Sequence, residues 1–66
     1  MLELSKQILL KVSFDRKLFK KELRKALKWI KPDEKTILRL WCIASFGEMY
    51  RDVITEVYEQ NLGASF

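Results

Sequence analysis

Histidine is absent from this sequence, and cysteine and proline occur once each. Without histidine there is no imidazole general base, no Ser-His or Cys-His pair and no histidine metal ligand. A lone Cys42 makes neither an internal disulfide nor a multi-cysteine zinc site. With two glycines and one proline, no flexible or stiff linker divides the chain. Long apolar runs are missing as well. The longest covers residues 40–44 and is bounded by Arg39, whereas a membrane-spanning helix needs about 20 such residues. Residues 1–12 carry Glu3, Lys6 and Lys11, which interrupts the apolar stretch a secretory signal requires, and no small-residue cleavage site comes after it. The expected location is cytoplasmic, where a single thiol stays reduced.

The residues that are present point to a folded helical domain. Apolar residues make up 48% of the 66 positions, too many for a disordered tail. The length is that of one small domain, residues 1–66. A domain of this size buries only about 60% of its unfolded surface. Lacking a staple, it needs very efficient helix packing or a second chain, so a homo-oligomer or a protein partner is an open expectation.

The periodicity predicts an all-α, compact single domain of four short amphipathic helices, at residues 2–12, 16–30, 33–46 and 48–61. In the first, Leu4, Ile8, Leu9 and Val12 recur at helical spacing, and Ser13 or Asp15 can cap the second helix. The second carries Phe19, Leu23, Ala26 and Ile30 in one row, widened by Leu18, Leu27 and Trp29, and ends before Pro32. The third opens with Pro32, Asp33 and Glu34. Its middle is apolar nearly all round, which predicts a buried central helix, and Gly47 is its expected cap. The fourth has a stripe of Met49, Tyr50, Val53, Ile54, Val57 and Tyr58, with Gly63 as its cap and residues 64–66 as a frayed tail.

Charge divides sharply along the chain. Residues 15–31 hold eight basic side chains against two acidic ones, and residues 32–66 hold three against six. At about 100° per residue, Lys17, Lys20, Lys21, Arg24, Lys25, Lys28 and Lys31 share one face of the second helix. Glu22 falls on the apolar side and leaves that stripe unbroken. Glu48, Asp52, Glu56 and Glu59 form an acidic face on the fourth helix within roughly 80°.

Like charges at i, i+4 repel by a few tenths of a kcal/mol per pair. A face dressed only for solubility would intersperse Glu, although solubility remains one reading of the stripe. The leading reading is contact with a polyanion, RNA or DNA, through the seven basic residues. Lysine outnumbers arginine and no Asn or Gln lies on the stripe, so recognition would run through backbone or shape, favouring structured RNA or nonspecific DNA. A helix-turn-helix reader does not fit, because the third helix is too apolar and the second lacks base-reading side chains. The rival reading is a protein-interaction or homodimer module in which the basic and acidic faces set orientation. A membrane surface would suit a Lys-rich amphipathic helix, but its apolar face is needed for the core.

Cys42 reads as a buried small hydrophobe with no basic neighbour to activate it. Glu48, Asp52 and Glu56 converge poorly on a cation and have no loop oxygens to help them. Trp29 and Trp41 read as core. Tyr50 and Tyr58 read as core edges with hydroxyls in water, and Arg39 as exposed. The expectation is a non-enzymatic binding module with no cofactor, metal or small-molecule substrate.

Overall fold

A computed structural model describes residues 2–63, with the side chains of residues 62 and 63 left aside; the expected tail at residues 64–66 lies outside the described residues. The described residues form three α-helical elements and no strand: α1 (Leu2–Lys11), α2 (Arg16–Trp29) and α3 (Pro32–Gly63). The all-α expectation holds and the count of four does not. The chain runs through Gly47 without a break, and the two predicted C-terminal helices are one 32-residue element.

Each boundary has a local cause. The Asp15 side chain caps α2 by accepting from the Lys17 N–H at 2.9 Å and the Leu18 N–H at 3.2 Å. Ser13 instead donates its hydroxyl back to the Leu10 carbonyl at 2.9 Å. Pro32 starts α3, and Glu34 reaches back to accept from the Lys31 N–H at 3.1 Å, the return half of a capping box.

Straight, α3 would be about 48 Å long, yet the whole molecule measures 32 × 22 × 19 Å. Its backbone leaves helical geometry at Tyr50, with φ −125° and ψ 20°. Beyond that point it doubles back: Lys35 Nζ meets Asn61 Oδ1 at 3.3 Å, where a straight helix would separate the two residues by about 39 Å. The Tyr58 hydroxyl also donates to the Lys35 carbonyl, at 2.8 Å. The two arms of α3 therefore lie side by side.

Tyr50 holds the bend. Its ring stacks on Phe19 at 4.6 Å, and Phe46 closes edge-on against Phe19 at 5.1 Å. Its hydroxyl donates to the Ser13 carbonyl at 2.5 Å, tying the bend to the α1–α2 turn. Neither tyrosine hydroxyl is left to water, contrary to expectation. Around this cluster the core draws Leu9 from α1, Phe19, Leu23 and Leu27 from α2, and Leu38, Cys42, Val53, Ile54 and Val57 from α3. Burying each such Leu, Ile, Val or Phe side chain contributes roughly 1.5–3 kcal/mol before entropy is counted. No buried side-chain nitrogen or oxygen among the described residues lacks a partner.

The first arm of α3 is not enclosed. Leu38, Cys42 and Phe46 face inward, but Ile37 is 48% and Leu40 63% exposed. Three elements in so small a chain supply no fourth wall, so an arm apolar all round covers the core with one side only. Met49, expected in the core stripe, is 63% exposed because the bend at Tyr50 turns it outward.

Gly47 has no positive φ, and a Cβ added there meets only Ile43 Cγ2 at an ordinary 3.5 Å. Gly47→Ala should therefore stabilise the fold, by about 0.5–1 kcal/mol in urea denaturation. Destabilisation of that size would restore Gly47 as a cap.

Candidate nucleic-acid interface

Folding α3 back sets its second arm parallel to α2. Arg16 pairs with Asp52, Lys20 with Glu56 at 3.1 Å, and Arg24 donates to Gln60 Oε1 at 2.7 Å, each partner 36 residues on. Both helices present these groups at every fourth residue, so they form a ladder along one edge of α2. Such exposed pairs are individually weak and screened by salt; their effect is to settle which charges remain available.

The structure thus divides the predicted basic stripe. Lys20 turns toward Glu56, and Lys25 lies 3.6 Å from Glu22 on its own helix. Lys31 falls beyond the end of α2, in the turn that caps α3. Lys17, Lys21 and Lys28 stay exposed and make no ion pair among the described residues. Arg24 keeps its full charge, because Gln60 is neutral. Lys17, Lys21, Arg24 and Lys28 form a row of cations over about 16 Å of helix.

The acidic face is divided in the same way. Asp52 and Glu56 are taken up by α2, while Glu48 and Glu59 remain exposed. No cluster of three Cys, Asp or Glu groups able to hold a metal occurs among the described residues.

Arg16 was not part of the predicted stripe, yet it anchors the ladder. The matching four-residue spacing of Arg16, Lys20 and Arg24 with Asp52, Glu56 and Gln60 is the sequence signal that marks it. Trp29 departs furthest from expectation, being 70% exposed. It stands in the last turn of α2, over a groove of about 190 Å³ lined by Leu4 and Ile8 of α1 and by Glu22, Lys25 and Ala26 of α2. Trp41 is only half-buried; it packs edge-on against Phe46 at 5.5 Å, with Lys6 Nζ 5.7 Å from its ring centre. A wider groove of about 460 Å³ separates the arms of α3 beside Arg39, which is exposed as expected, and Glu59.

Burial pushes the Cys42 thiol up to about 12, and burial also raises the Tyr58 hydroxyl. Cys42 is a packing residue and no nucleophile at neutral pH. Among the described residues no helix is long and apolar enough to cross a membrane.

The Arg16 side chain, hydrogen-bonded to Asp52, holds that carboxyl below its usual 3.8. The pairing therefore contributes above that range and is lost as pH falls through the depressed value. Carboxyl NMR titration should give Asp52 a midpoint under 3.8 that rises in Arg16→Gln. An unchanged midpoint would show that the ladder does not persist in solution.

No family model matches the chain, and no curated protein or solved structure matches it.

Proposed function

We propose that this protein is a non-enzymatic helical module that grips the phosphate backbone of RNA or DNA with the outward face of α2. Lys17, Lys21, Arg24 and Lys28 make the contacts, with Lys25 and Lys31 at the ends and edges of the row. One observation carries the reading: the fold uses its own acids on one edge of α2 and leaves this row uncompensated. Lysines a few ångströms apart along a rod suit successive phosphates, and the affinity comes from counterion release rather than base identity. The module would work in a reducing cytoplasm, where its buried Cys42 stays a thiol.

A second reading rests on Ile37 and Leu40, which are exposed on the outer side of α3. A homodimer or a protein partner would cover them. The charged stripes lose weight as its guides, since Asp52 and Glu56 are already paired within the chain.

Fluorescence anisotropy with labelled duplex DNA and hairpin RNA tests the first reading. Log affinity should fall linearly with log salt, with a slope near −4 for about four phosphates. Replacing Lys17, Lys21 and Lys28 with Gln should reduce that slope by about 3 and leave the circular dichroism spectrum helical. Absence of binding to either nucleic acid at low salt would overturn the reading and leave the second.

A further inference from the structure

The phosphate row ends beside an aromatic ring that the core does not use. Lys21, Lys25 and Trp29 succeed one another at four-residue steps, so they lie in one line along the edge of α2 that faces α1. Trp29 is 70% exposed, although a tryptophan in a domain with so little core would ordinarily be drawn inside. Its side chain borders the groove between α1 and α2, which Leu4, Ser5, Ile8 and Ala26 also line. The groove holds about 190 Å³. Its surface is mainly apolar, and Glu22 lies within 3.6 Å of Lys25 at the rim. Its donors are few: the buried Ser5 and the Lys25 side chain beside Glu22. A flat ring does have an aromatic neighbour there, the exposed indole of Trp29.

Resting on the phosphate reading above, the geometry points to a single-stranded nucleic acid as the occupant, with an unpaired base stacked on Trp29 in the groove and its flanking phosphates on Lys21, Lys25 and Lys28. Aromatic platforms beside cation tracks bind single strands with little sequence preference, because every base has a π-face. A base within a duplex is covered on both faces by its neighbours and cannot enter. This changes the partner expected from charge alone. A duplex carries more charge per length than a single strand, so phosphate contacts alone favour the duplex. Stacking on Trp29 reverses that order.

The test compares one short DNA sequence, single-stranded and annealed to its complement, with inorganic polyphosphate as a third probe, all at low salt. In anisotropy the single strand should bind more tightly than the duplex. Trp29→Ala should weaken single-strand binding about tenfold and leave duplex and polyphosphate binding unchanged, while Trp29→Phe keeps most of the affinity. In Trp41→Phe, where Trp29 is the only indole, the single strand should quench emission and polyphosphate should not. A duplex bound more tightly than the single strand, with Trp29→Ala silent, overturns the inference while the phosphate reading stands; the groove would then suit an apolar side chain of a protein. Failure of all three probes to bind overturns both.

Discussion

The bend in α3 is held by one side chain: the ring of Tyr50 stacks on Phe19, and its hydroxyl donates to the Ser13 carbonyl. A helix of this length would otherwise project past a small domain and leave α2 without cover on one side. With the bend, Val53, Ile54 and Val57 return to the core that Leu38, Cys42 and Phe46 have begun. The aromatic cluster does for this chain what a disulfide does in other small domains, joining α2, the bend of α3 and the α1–α2 turn at one point. It does so through packing and a hydrogen bond, for which water competes only weakly once the site is closed.

The charge pattern of the surface is a consequence of that bend. It makes the second arm of α3 parallel to α2 and brings Asp52, Glu56 and Gln60 alongside Arg16, Lys20 and Arg24. Seven cations on one face of an isolated helix form a diffuse patch. With one edge engaged by the chain's own acids, the remaining patch is narrower and has a direction: Lys17, Lys21, Arg24 and Lys28 in a row, running toward Trp29. The cation row thus lies on the outward face of α2 between the ladder with α3 and the apolar groove beside α1, with its position set by the core behind it.

Much of this was legible in the sequence where a single helix decides the outcome. Phe19, Leu23 and Ile30 of the predicted row, with Leu27 beside it, lie in the core, while Ala26 of that row is only half-buried and Leu18 is exposed. The start at Pro32 and the capping role open to Asp15 follow from residue type and place. Features that depend on two elements meeting were not legible there. Gly47 looks like a helix stop, and only the pull of Tyr50 onto Phe19 moves the bend three residues on. Trp29 belongs to the apolar half of α2 by angle. It stays mostly outside because α1 is short and α3 turns away at Pro32, which leaves its ring at the edge of a groove rather than under cover. Ile37 and Leu40 stay outside because an all-apolar arm needs walls on every side to be central, and this chain has too few.

The central claim is that the fold itself selects which basic residues face a ligand. The most direct measurement is a residue-by-residue NMR titration with a short single-stranded oligonucleotide. The account predicts that the side-chain and amide signals of Lys17, Lys21, Arg24 and Lys28 and the Trp29 indole N–H shift together in one saturable process. Those of Arg16 and Lys20, held in the ladder, should move little. Shifts centred on Ile37, Leu40 and Glu59, or spread evenly over every lysine, would contradict it.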